Sequence, residues 1–211
     1  MKKLFVICLL VIGKNVLVSA QTSATYTAAI ESRLKILDTA TQTATFANLA
    51  QEFENIGQGW EAWYYAAYTN INMLNTLADR SSSDPIIDKA EKLIKQAAAL
   101  KPDNSEITLV QAMVVYSRVL VSPRERWQQL NVGDAFLDKA KKLDPTNPRP
   151  YLIEAKAKLN TPEMLGGGTD AAKAALQSFF DKFRTFQPAG SIAPHWGEST
   201  AIKMQKKLAT L

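Results

Sequence analysis

Three prolines, Pro102, Pro145 and Pro188, stand 43 residues apart, and the residues around them recur in one register. Ahead of the proline, Ala90 matches Gly133, Leu93 matches Phe136 and Phe179, and Ile94 matches Leu137 and Phe180. Ala97 matches Ala140, and Leu100 matches Leu143 and Phe186. Behind it, Asn104 matches Asn147, Leu109 matches Leu152 and Ala112 matches Ala155. A fixed period of this length marks a stacked array, because one unit cannot bury its apolar face alone.

The units are helical. Tyr26, Ile30, Leu34 and Leu37 recur at three- and four-residue steps, and so do Phe46, Leu49, Ala50 and Phe53. Ile86, Ala90, Leu93, Ile94 and Ala97 continue the pattern, as do Ala172, Leu176, Phe179, Phe180, Phe183 and Phe186. Each set is the apolar stripe of an amphipathic helix. Alanine supplies 29 of 211 residues against 9 glycines and 9 prolines, a balance that favours helix. Asp84-Pro85, Ser122-Pro123 and Asn147-Pro148 each put a capping side chain before a proline suited to the first helical position. Ser122 with Glu125 and Asp103 with Glu106 have capping-box spacing. Val114 to Val121 is rich in β-branched residues but lies between helical signals, and reads as a buried helix. Nothing alternates with period two, and no linker or low-complexity tract divides the chain. The expected fold is all-α: a right-handed stack of antiparallel helix pairs, about nine helices, with a terminal capping helix.

The first twenty residues read as an address. Lys2 and Lys3 precede the apolar run Leu4 to Ile12, and Val18-Ser19-Ala20 ends in small side chains. That order is the logic of a secretory signal peptide spanning residues 1–20, cleaved before Gln21. The stretch is too short and too charged for a transmembrane anchor, so no stable membrane insertion is expected after cleavage. Residues 21–211 then form a single domain, periplasmic or extracellular. Cys8, the one cysteine, leaves with the signal, and no disulfide can staple the fold. Losing Lys2, Lys3 and Lys14 lowers the formal charge from +5 to +2, too little for an electrostatic nucleic-acid surface.

Ala90-x3-Ile94-x2-Ala97-x4-Pro102 resembles the second helix and closing proline of a tetratricopeptide repeat, and Gly133-x3-Leu137-x2-Ala140-x4-Pro145 resembles it again. Ala112 and Ala155 fall where that family keeps a small residue, and Tyr151 where it keeps an aromatic one. The period of 43 exceeds the family's about 34, so helices or turns are extended. Asn147-Pro148-Arg149, Thr161-Pro162-Glu163 with Gly166-Gly167-Gly168, and Pro194-x-Trp196-Gly197 are similar to a group of exported bacterial proteins with these repeats. That resemblance bears on fold and implies no activity.

Chemistry is sparse. His195 is the one histidine, and a zinc site wants three or four ligands; Pro194-His195-Trp196-Gly197 reads as a turn into the capping helix. Gly166-Gly167-Gly168-Thr169 lacks the ending of a phosphate loop, and Thr169 reads as a helix N-cap. Catalytic residues, metal ligands and cofactors are therefore not expected, and neither is an enzyme. Within the aromatic run, Trp60, Trp63, Tyr64, Ala67, Ile71 and Leu74 share a core-facing side, while Tyr65 and Tyr68 occupy a neighbouring face.

Two functions compete. One is an exported binding module whose concave groove takes a protein or peptide of the cell envelope. The resemblance projects Trp63, Asn70, Glu106, Met113, Tyr116, Arg149 and Lys156 onto that groove, with Tyr65 and Tyr68 as an alternative aromatic patch. Arg149 would grip a carboxylate of an acidic peptide. The alternative is a small-molecule-binding accessory component of a solute-uptake system, with its ligand between helices.

Overall fold

The computed structural model describes residues 23–210. The expected signal peptide and its cleavage before Gln21 lie outside the described residues. Nine helices of eleven or more residues fill the described span, which contains no strand. In chain order they are α1 (23–37), α2 (Thr43–Ile56), α3 (Gly59–Met73), α4 (Asp84–Leu100) and α5 (Ser105–Val121). A single turn, α6 (Pro123–Arg126), precedes α7 (Leu130–Leu143), α8 (Arg149–Leu159), α9 (Thr169–Phe183) and α10 (Glu198–Leu208).

Helices pack in consecutive pairs: α3 against α4, α5 against α7, and α8 against α9. The first members, α3, α5 and α8, also touch in series and form an inner layer. The repeat explains the pairing. Ala97, Ala112, Ala140 and Ala155 are fully buried, each a small side chain where two helices approach closely. The outer helices α4 and α7 keep one apolar stripe, Ile87 with Ala90 and Ile94 in one and Gly133 with Leu137 and Ala140 in the other. By contrast, α3 and α5 are buried on most sides, which accounts for their weaker periodicity.

The helix starts differ from the sequence reading by one or two residues. Asn104, not Asp103, caps α5 by accepting from the Ile107 N–H at 3.1 Å, while Asp103 takes a left-handed φ of 52° in the preceding turn. Asn147 Oδ1 accepts from the Arg149 N–H at 3.0 Å, with Pro148 at the cap position itself. Gly168, at φ 96°, is the N-cap of α9, and Thr169 is its first residue. A glycine is needed there because that backbone geometry is strained for any L side chain.

Beyond α9 the chain turns back. The segment from residue 184 to 197 crosses to the inner layer as a strap before α10 begins. Tyr65 donates its hydroxyl to the Ile192 carbonyl at 3.0 Å, and Trp196 Nε1 donates to the Tyr64 hydroxyl at 2.9 Å. The Trp196 ring stacks on Tyr68 with centroids 4.7 Å apart. Trp196 packs against both apolar clusters of the core, the large one built on α1 to α7 and the smaller one on α8 to α10. α10 then packs on α9 as the expected terminal cap.

Candidate functional site

The inner layer borders a cleft of about 320 Å³. From α5 come Met113, Tyr116, Ser117 and Leu120, four residues on one helical face. Ile153, Lys156, Ala157 and Asn160 supply the equivalent face of α8 and its end. The end of α3 and the turn after it add Ile71 and Leu74. Two connections form the rim: Pro123 to Leu130 with Trp127, and Thr161 to Leu165. Leu120, Trp127 and Leu165 are exposed at 44, 49 and 47%, so the apolar lining runs out onto the surface.

Both rims are held firmly. Arg126 donates through Nη1 and Nη2 to the two carboxylate oxygens of Asp84, each at 2.7 Å, tying α6 to the start of α4. In the other rim, Gly168 N–H donates to the carbonyls of Lys158 and Thr161, and Gly167 N–H to that of Pro162. A Cβ on Gly167 would stand 2.0 Å from the Thr161 carbonyl oxygen, so the turn admits only glycine there. The triple glycine seen in the sequence thus shapes a fixed wall.

The lining carries three cations, Arg80, Arg124 and Lys156, and no carboxylate. Arg80 donates Nε to the Leu74 carbonyl at 2.8 Å. Lys156 is partly exposed yet surrounded by apolar side chains, and this desolvation lowers its pKa. Tyr116 is committed elsewhere: its hydroxyl donates to Asp134 Oδ1 at 2.6 Å. Burial first, and that hydrogen bond second, hold the phenol neutral well above the usual tyrosine range. Gly133 allows the approach, since a Cβ there would meet the Tyr116 ring at 2.6 Å.

Of the seven projected groove residues, Met113, Tyr116 and Lys156 line this cleft. The other four do not. Arg149 is 1% exposed and forms a buried ion pair with Glu106, its Nε donating to both carboxylate oxygens at 2.9 and 3.0 Å. Asn147 Nδ2 donates to Glu106 Oε1, and Tyr64 donates its hydroxyl to Oε2 at 3.2 Å. The guanidinium lies over the Phe186 ring, 4.5 Å from its centroid. Burial opposes the Arg149 charge, but Glu106 outweighs it and holds the guanidinium protonated. An arginine so engaged offers no grip to an external carboxylate. Asn70 is also buried and donates to the Ala66 carbonyl, four residues back in α3. Trp63 is half-buried against the core beside Gly57.

The proposed aromatic patch is interior as well. Tyr65 is 1% exposed, and Tyr68 is covered by Trp196. Both border a second, more polar cleft of about 570 Å³ with Asp38, His195, Glu198 and Lys203. His195 Nε2 lies 3.5 Å from Asp38 Oδ2, which places the histidine in the strap, as its turn-forming sequence implied. Among the described residues no group of three or more His, Cys, Asp or Glu side chains is arranged to hold a metal ion. None of the described helices is long and apolar enough to cross a membrane.

No protein-family model matches the chain, and no curated protein does. Among solved structures, the HusA haemophore from Porphyromonas gingivalis is similar, with 31% sequence identity and a TM-score of 0.75. The match covers 87% of this chain and 92% of that one, so it spans the whole stack and not one repeat. With that identity over nearly the full length of both chains, the protein belongs to the same family as the HusA haemophore.

Proposed function

We propose that this protein is an exported carrier that captures a tetrapyrrole of the haem class in the cleft between α3, α5 and α8. The observation that carries the reading is the cleft itself: an apolar lining that continues onto an exposed rim, with cations and no acids. Ligand pockets run from about 300 to 1,000 Å³, so this one sits at the small end. A large flat macrocycle would enter by one edge and leave the other against Leu120, Trp127 and Leu165. Its carboxylates would meet Arg80, Arg124 or Lys156. Tyr116 is held by Asp134 and Met113 is 7% exposed, so the lining favours contact with the ring faces over ligation of an iron. The kinship with a protein named as a haemophore supports the same ligand class.

This reading accounts for more than a peptide groove does. The peptide reading leaned on Arg149 as the carboxylate grip, and Arg149 is spent inside the core on Glu106. Titrating the mature protein with haemin and with metal-free protoporphyrin IX tests the proposal. Both should bind with one class of site and a shifted Soret band. Met113→Glu, which puts a carboxylate into the apolar lining to compete for its cations and repel the ligand's acid groups, should weaken both by at least tenfold, about 1.4 kcal/mol or more. Wild-type protein that binds neither would refute the proposal.

A further inference from the structure

We propose that Lys156 is the carboxylate-recognition residue of this cleft, and that it makes the cleft selective for tetrapyrroles with free acid side chains over their neutral esters. The inference rests on the tetrapyrrole reading and names what that reading leaves open.

Several of the partly or fully buried cations in this fold are matched with acids. Arg149 has Glu106, Arg118 has Asp88 and Glu91, Arg126 has Asp84, and Lys141 has Glu154. Lys156 has no such match: among the described residues it has neither an ion-pair partner nor a hydrogen-bond acceptor, and it lines the cleft. Ile153 and Ala157 of α8 line the cleft together with it, and Met113 of α5 lines it too. A cation held in an apolar wall without an anion is a costly arrangement that a bound carboxylate would relieve. The lowered pKa reports the same desolvation. Arg80 and Arg124 contribute less. Arg80 already gives Nε to a backbone carbonyl, and Arg124 is exposed, where water screens it. A lysine on four flexible carbons also suits a carboxylate whose position varies with the orientation of the ring.

The test compares metal-free protoporphyrin IX with its dimethyl ester, by fluorescence, on wild-type protein and on Lys156→Met and Lys156→Arg. Wild type should bind the free acid about 10- to 100-fold more tightly than the ester, the range for a charge-assisted hydrogen bond. Lys156→Met should lose most of that preference while binding the ester at least as tightly as wild type, and Lys156→Arg should keep the preference. Ester binding by Lys156→Met no weaker than by wild type shows that the cleft is intact. Free-acid binding by Lys156→Met as tight as by wild type overturns the role of Lys156. Equal binding of acid and ester by wild type overturns carboxylate selectivity alone. Failure of both compounds to bind wild type overturns the tetrapyrrole reading, and this one with it.

Discussion

Replacing Arg149 with methionine removes the cation from the most enclosed ion pair in the fold. The substitution keeps an unbranched apolar stem but gives up the guanidinium contact with the Phe186 ring. Glu106, however, loses the donor that bridges both its oxygens and keeps only Tyr64 and Asn147. An ionised carboxylate left in that position costs about 3–5 kcal/mol. With a urea slope of about 2 kcal/mol/M, a loss of about 4 kcal/mol lowers the unfolding midpoint by about 2 M. The double variant Glu106→Gln with Arg149→Met behaves differently. The neutral amide can still accept from the Tyr64 hydroxyl, and no charge is stranded. Its loss should be smaller than that of Arg149→Met alone, which makes the cycle strongly non-additive. Urea titrations followed by circular dichroism give all four corners. A midpoint for Arg149→Met within about 0.3 M of wild type, less than about 1 kcal/mol, would mean that the pair is not the buried unit described here.

Other outcomes follow from the same geometry. Ala97→Glu and Ala140→Glu should each destabilise by several kcal/mol, because each buries a charge where two helices meet; melting like wild type would show that the repeat register is misplaced. Gly167→Ala should break the Thr161–Gly168 turn and weaken porphyrin binding through displacement of Leu165, with far-UV dichroism unchanged; undiminished affinity would remove that wall from the site. Hydrogen bonds from Arg126 hold Asp84 below the usual carboxylate range. A folded pKa below the unfolded one adds stability above about pH 4 that disappears as pH falls through the folded value. Asp84→Asn should therefore flatten the acid limb of the stability profile, and urea midpoints between about pH 2 and 7 will show whether it does.

The stack was legible because its physics is periodic. Proline, small residue and apolar stripe return every 43 residues, and the helices, their pairing and the buried alanines all follow from that register. The groove was legible only in part. Met113 and Lys156 sit at equivalent places in adjacent repeats, and both line the cleft. Projection from the family pattern puts Glu106 and Arg149 on the groove, whereas their charges pair with each other inside the core. Yet these two are also 43 residues apart, so opposite charges occupied equivalent positions of neighbouring inner helices. That coincidence was the available signal for a buried pair. The rim loop could not be drawn from local patterns, although its three glycines marked it. The strap has no period at all, and its contacts with α3 span more than 120 residues.

That strap alters the way the molecule comes apart. In an open array each repeat meets only its neighbours, and the ends can fray while the middle persists. Here residues near position 195 are tied to α1 and α3, at separations of 127, 132 and 157 residues. The linear stack becomes a closed circuit, in which the last repeat stabilises the first. Loss of the carboxyl-terminal segment would then loosen helices more than a hundred residues earlier in the chain. Such closure is expected to extend cooperativity along the array, so that unfolding approaches all-or-none. Non-local contacts are also slow to find, so the docking of Trp196 onto Tyr68 and the Tyr64 hydroxyl is expected late in folding.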